Sequence, residues 1–195
     1  MSKKELLIIG AGGHANSCTE IIISTKKYKI AGYLDKKKYK NKYDFNVLGD
    51  ESKILYFKKK YKNYFIGIGQ IKNWQKRYYL FNLILSHKLN LPSIVSINSI
   101  VAPDVKIGKG TIIMNGVIIN SGSIIGDNCI INTGAIIDHD SIILDHSHIA
   151  PGVIINGNVE VGQKCFIGSG TIVNNNIKIK NSQIIKSGSL IRKNV

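Results

Sequence analysis

Residues 112–147 read IIMNGV, IINSGS, IIGDNC, IINTGA, IIDHDS, IILDHS. A helix repeats its apolar face near every 3.6 residues and a half-buried strand every 2, so strict period six excludes both as continuous elements. The same cut runs outward without an insertion from Ile94 to Val195, giving seventeen units whose second place is always Ile or Val. The sixth place is mostly Ser, Thr, Cys, Ala or Val. A chain that turns a corner every six residues satisfies this pattern, three short strands making one coil of eighteen residues. Each second-place branched residue then points to the axis and meets its equivalents about 4.8 Å above and below. Asn, Gly and Asp recur at places four and five, where the corners demand turn-prone or left-handed residues. The expected element is a rigid prism whose ligand sites lie on outer faces or subunit interfaces.

Residues 1–91 differ in kind. They carry 19 Lys and Arg against 6 Asp and Glu, whereas residues 92–195 carry 8 against 6. The formal net charge of +15 is therefore concentrated in the first half. Such a half attracts nucleic acid, an anionic membrane surface or a polyphosphorylated small molecule, or it reflects lysine enrichment from an AT-rich genome. The clusters Lys36–Lys38 and Lys58–Lys60 lack interleaved aromatics for base stacking, which argues against nucleic acid. LLIIG (Leu6–Gly10), KIAGYLD (Lys29–Asp35) and NYFIGIG (Asn63–Gly69) read as strands. Helices are expected over Ala15–Thr25 and over Asn73–Lys88, the latter with Trp74, Tyr78, Phe81 and Leu85 as its inward stripe. This βαβαβα order predicts a small Rossmann-like α/β domain over 1–91, with ligands at the strand C-termini, ahead of a β-helix domain over 92–195.

The three cysteines (Cys18, Cys129, Cys165) are odd in number and without CxxC spacing, so neither disulfides nor a zinc knuckle is expected. No stretch approaches the roughly 18 apolar residues of a membrane span. The reading is a soluble, unprocessed, cytoplasmic protein with no membrane span.

Gly10-Ala11-Gly12-Gly13-His14 follows the first strand and opens a helix, a place where backbone N–H groups cradle phosphate. The full G-x-G-x-x-G fingerprint is not met, and a tight strand-to-helix turn is the plain alternative. Asp35 ends the second strand, placed either to accept from a ribose or base or to cap a helix. In the repeats, Asp138-His139-Asp140 is the densest ionisable group. His139 takes place four, a corner, so it faces outward, and flanking carboxylates suit an imidazole to general-base work. Gly157 follows it by eighteen residues, which sets its N–H about 5 Å along the prism from the histidine. His146 and His148 do not share that corner, so no metal site is expected.

GAGGH at Gly10–His14, YLD at Tyr33–Asp35, GIG at Gly67–Gly69 and NTGAIIDHDSIILDHSHIAPGVIINGNVEVG at Asn132–Gly162 together resemble the NeuD/PglD family of sugar O- and N-acetyltransferases. The resemblance spans nearly the whole chain. It implies a left-handed parallel β-helix that assembles as a homotrimer, with active sites between neighbouring subunits and acetyl-CoA as co-substrate. By that resemblance His139 is the general base and Asp140 tunes it, Asp standing where some relatives have the longer Glu. His148, Gly157, Ser169 and Ser187 would contact acetyl-CoA, Gly157 through its N–H to the thioester oxygen. Gly12, Gly13, His14, Asp35, Lys36 and Gly69 would bind a nucleotide sugar, Lys36 replacing a second acid seen in one relative. Relatives often carry a GxPAK-like tail where this sequence reads Arg192-Lys193-Asn194-Val195.

The implied activity is N-acetylation of the 4-amino group of a nucleotide-linked amino-dideoxy sugar, for bacterial surface glycan or protein glycosylation. UDP and GDP both remain open as the nucleotide. O-acetylation of sialic acid or a related nonulosonic acid is the nearest alternative, and a non-catalytic trimeric scaffold the alternative of another class.

Overall fold

The computed structural model describes residues 3–36, 43–71 and 73–195. Lys37 and Lys38 of the first lysine cluster lie outside the described residues. The chain divides into two compact units, Met1–Gly69 with Gln75–Pro92, and Gln70–Trp74 with Ser93–Val195.

In the first unit, β1 (Lys4–Ile9), β2 (Tyr28–Leu34) and β3 (Asn63–Ile66) form a parallel sheet in the order β2-β1-β3. Leu6 to Ile9 are buried without alternation, as a strand covered on both faces requires. Helix α1 (Gly13–Ser24) follows β1, a four-residue helix α2 (Ile54–Phe57) precedes β3, and α3 (Gln75–Ser86) follows it. The expected βαβαβα order is present. The inward face of α3, however, is Arg77, Leu80, Phe81 and Ile84, while Tyr78 is exposed. The expected stripe holds at Phe81 and Leu85, which packs against this core, and fails at its start because Trp74 precedes the helix and Arg77 takes the inner face in place of Tyr78. Arg77 is buried, its Nη1 donating to the carbonyls of Ile66 and Ile68, each at 2.7 Å. The guanidinium thus satisfies two carbonyls at the C-terminal end of β3 that no strand pairs.

The second unit contains seventeen two-residue strands, β4 (Ile94–Val95) to β20 (Leu190–Ile191), one per hexapeptide. Every third strand joins the same parallel sheet, giving three flat faces of six, six and five strands. Partners stand eighteen residues apart, as in Ile130↔His148 and Ile136↔Ile154. The core is a column of second-place residues, Ile113 through Ile185, interleaved with sixth-place Val117, Cys129, Ala135, Val153, Val159 and Cys165. Each buried Ile contributes on the order of 1.5–3 kcal/mol. Sixth-place hydroxyls keep that column satisfied where they occur: Ser147 Oγ donates to Gly162 O at 2.7 Å and accepts from Cys165 N at 3.0 Å. At the corners, every fifth place from Gly110 to Gly188 has positive φ, which is why Gly and Asn dominate there.

The three faces have different outer residues. Face one carries Ile130, His148, Phe166 and Ile184 in register. Face two presents an unbroken aliphatic row, Ile100, Ile118, Ile136, Ile154, Ile172 and Leu190, of which Ile100 is 69% exposed. Face three is mixed, with Lys178 paired to Glu160 at 2.9 Å. Residues 70–74, which the sequence reading kept with the first half, belong to this unit. Trp74 lies there with Lys164 Nζ 4.4 Å from its ring centroid. Among the described residues, no helix is long and apolar enough to cross a membrane, and no group of three or more His, Cys, Asp or Glu is placed to hold a metal ion.

Candidate active site

The corner after Ile136–Ile137 carries the ionisable group. Asp140 sits at the fifth place with φ +59, and this left-handed turn aims its carboxylate back at the preceding side chain. His139 Nδ1 donates to Asp140 Oδ2 at 2.8 Å, so the short Asp side chain reaches the ring. Asp138 is held apart from that pair: its Oδ1 accepts from Asn120 Nδ2 and from the His139 backbone N–H, each at 2.8 Å. These bonds lower the Asp138 pKa and keep it charged. The His139 pKa is raised above the ordinary imidazole value, chiefly by the Asp140 hydrogen bond and then by the charge of Asp138.

With Nδ1 donating, Nε2 is the basic nitrogen, and it lies over Gly157 one coil further on. A Cβ added at Gly157 would stand 2.6 Å from His139 Nε2, so only glycine leaves the ring where it is. Neighbouring corners have their place-four N–H groups occupied: Asp127 N donates to Asp145 Oδ1 and Gln163 N to Asn181 Oδ1, both at 2.8 Å. The Gly157 N–H has no acceptor among the described residues. A basic nitrogen and an open amide donor therefore stand side by side, the arrangement that proton removal and oxyanion support require.

The other residues expected at acetyl-CoA are not gathered at that corner. Ser169 and Ser187 are exposed and stacked one coil apart on the adjacent corner, with Gly188 N donating to Ser169 O at 2.8 Å. Face two, with its aliphatic row, separates the two corners. His148 lies on face one, 6% exposed, where its Nδ1 bonds the carbonyl of Gln70 and its Nε2 meets Asn132 Nδ2 at 3.2 Å. Gln70 and Asn132 were invisible to sequence reasoning as site neighbours. Only the sixteen-residue spacing of Asn132 to His148, nearly one coil, carried any signal.

In the first unit the expected nucleotide residues do converge. Gly10, Gly12, Gly13, His14, Asp35, Gly67, Ile68, Gly69 and Lys76 line a cavity of about 270 Å³ at the C-terminal end of the sheet. A second cavity, about 770 Å³, is lined by Asp35, Lys36, Leu48, Gly49 and Asp50, among others. Asp35 Oδ2 accepts from Ala11 N at 2.8 Å, so this carboxylate anchors the glycine turn. Helix α1 begins at Gly13, two residues before the expected start, which brings its N-terminal amides into the cavity wall. The glycines divide by purpose. Gly10 has φ +97 and no room for a side chain, whereas Cβ atoms at Gly12 or Gly13 would meet nothing within 4 Å. The fold does not need glycine at those two positions, and their bare backbone leaves room for close approach from the cavity. Sequence reasoning missed Lys76 and Glu51: Glu51 Oε1 lies 3.2 Å from Lys76 Nζ and 3.9 Å from Lys36 Nζ, lining the rim with cations.

A glycine-lined α/β sheet mouth and a parallel β-helix with a His–Asp corner thus occur in one chain. Residues 5–79 match the family model described as the PglD N-terminal domain. A His→Asn variant of perosamine N-acetyltransferase from Caulobacter crescentus, solved with CoA and GDP-perosamine, superposes at TM-score 0.92 with 28% identity, over 100% of this chain and 91% of that one. The acetyltransferase domain of PglB from Neisseria gonorrhoeae, in complex with acetyl coenzyme A, shares the fold at TM-score 0.92 and 24% identity, over 100% and 93% of the two chains. No curated protein matches in sequence. The first unit thus matches the PglD N-terminal domain, and the chain over its whole length is similar to acetyltransferases with the hexapeptide β-helix fold.

Proposed function

We propose that this protein transfers the acetyl group of acetyl-CoA to the amino group of a nucleotide-linked amino sugar, with a GDP-linked sugar as the favoured substrate. The observation that carries this reading is the His139–Asp140 pair whose basic Nε2 overlies the open Gly157 amide. The similarity to an enzyme crystallised with CoA and GDP-perosamine supports the choice of substrate.

In this mechanism His139 Nε2 takes a proton from the sugar amine as its nitrogen attacks the thioester carbon. The Gly157 N–H donates to the oxyanion that forms, a contact worth about 3 kcal/mol. Collapse of the tetrahedral intermediate breaks the C–S bond, and the departing thiolate takes the proton back from the imidazolium. Asp140 holds Nδ1–H throughout, so the ring stays oriented and its positive form is stabilised. Gly12, Gly13 and the α1 N-terminus receive the diphosphate, with His14, Asp35, Lys36 and Gly69 around it. Ser169, Ser187 and His148 contact acetyl-CoA.

The aliphatic row of face two supports a homotrimer. A rotational ring would bury Ile118, Ile136 and Ile154 and set the His139 corner of one chain against the Ser169–Ser187 corner of the next. The two half-sites that one chain keeps apart would then complete each other. Three free, buried cysteines and an acetyl-CoA requirement support a cytoplasmic reaction.

The deciding experiment offers acetyl-CoA with GDP- and UDP-linked amino sugars and free sialic acid, reading products by mass. Acetylated GDP-amino sugar is expected; transfer to sialic acid alone, or to nothing, would overturn the proposal. Sedimentation should give a trimer, and Ile154→Lys should reduce it to monomers.

A further inference from the structure

The positive charge of the first unit gathers at the end of its sheet away from the nucleotide cavity. All three strands run parallel, so their starts share one end, and the helices return the chain to it. Residues 3–5 lie at the start of β1, 26–29 join α1 to β2, 58–63 join α2 to β3, and 88–90 follow α3. These four segments hold ten lysines against one acid, Glu5. Contacts tie them together: Lys4 stands in register with Tyr28, Asn63 Nδ2 donates to Glu5 O at 2.9 Å, and Asn90 N donates to Lys62 O at 2.8 Å. Nine of the ten lysines are exposed, and none is ion-paired among the described residues. At the cavity end, by contrast, Lys36 and Lys76 share Glu51. A lysine beyond a helix C-terminus offsets the dipole of that helix, which accounts for one cation after α1 and one after α3 but not for four after the four-residue α2. Lysine enrichment from base composition would spread over both halves, yet residues 92–195 carry 8 cations against 6 acids.

We propose that this end of the first unit is a docking surface for an anionic lipid bilayer. Lysines on short exposed turns present point charges to a plane of headgroups. Beside them stand two apolar anchors, Ile23 in the last turn of α1 at 44% exposure and Tyr56 in α2 at 74%. The boundary between headgroups and acyl chains takes up such side chains, whereas a phosphodiester backbone has no use for an isoleucine. Nucleic acid would call for stacking aromatics among the cations, but the two tyrosines within the lysine segments, Tyr28 and Tyr61, are half-buried and buried. The nucleotide cavity opens at the C-terminal end of the strands, so docking through the opposite end leaves it uncovered. None of these lysines belongs to the residues assigned to acetyl transfer.

The test sediments full-length protein with vesicles of phosphatidylcholine alone or with about one-third phosphatidylglycerol. Binding is expected to the anionic vesicles only. Raising salt from about 0.1 M to about 1 M cuts the screening length from about 10 Å to about 3 Å and should release the protein. Lys26→Gln, Lys27→Gln, Lys59→Gln and Lys60→Gln combined should lower the partition coefficient on the order of 10²-fold, with the circular dichroism of the parent retained. The same charge removed from exposed prism positions, through Lys109→Gln, Lys180→Gln, Lys186→Gln and Lys193→Gln, should change it less than about threefold. That contrast separates a located surface from the net charge of +15. No binding to anionic vesicles, or equal loss from the two quadruple variants, would overturn the proposal. So would release from the vesicles by single-stranded RNA at a phosphate concentration far below that of the lipid, which would assign the surface to nucleic acid instead.

Discussion

The two units use glycine for opposite reasons, and the contrast shows how each makes a site. In the β-helix, a residue's surroundings follow from its place in six, so a glycine at place four, where φ is ordinary, stands out as a contact rather than a turn. Gly157 is that contact, kept bare by the ring of His139. In the α/β unit no two positions are equivalent, and glycines must be sorted one by one: Gly10 serves the backbone, while Gly12 and Gly13 face open space. One unit builds its site by stacking, the other by leaving room.

The largest break in this picture comes from the stacked corner. His139→Ala should lower kcat by about 10²–10⁴-fold in the acetyl-transfer assay, with CoA binding retained; near-normal turnover would remove it as the base. Gly157→Ala keeps an allowed backbone yet forces the imidazole aside, and a drop in kcat on the order of 10² is expected with thermal stability unchanged. Asp140→Asn sharpens the electrostatics. The Asp140 bond raises the His139 pKa, so weakening it lowers that pKa and lets the free base persist into more acid solution. The acid limb of the kcat/KM profile should therefore move to lower pH while the plateau falls roughly tenfold. The smallest effects lie in the glycine turn. Gly13→Ala, at a helix position, should stabilise the protein by about 0.5–1 kcal/mol while raising KM for the nucleotide sugar alone. Gly10→Ala should instead destabilise, and calorimetry on both variants separates the two uses of glycine.

What could be read in advance follows the same division. Period six fixed the faces, the corners and the stacking of Gly157 on His139, because a coil of eighteen residues turns spacing into position. The Rossmann-like half was legible as element order from its short apolar strands. Its inner α3 face was not, since Arg77 is a charge whose value depends on two carbonyls at the end of β3. Lys76 and Glu51 meet across 25 residues with no repeat to announce it, and Gln70 reaches His146 and His148 across 76 and 78. Contacts between a periodic and an aperiodic segment leave no signature in either pattern.

The excursion of Gln70–Trp74 also limits how such proteins can be recombined. A chimera joined at residue 92, where composition suggests a clean seam, would import a β-helix stripped of its own clamp and of the tryptophan beneath Lys164. Exchange of sugar specificity between relatives would have to carry these five residues with the prism, as an inheritance unit interrupted by a helix.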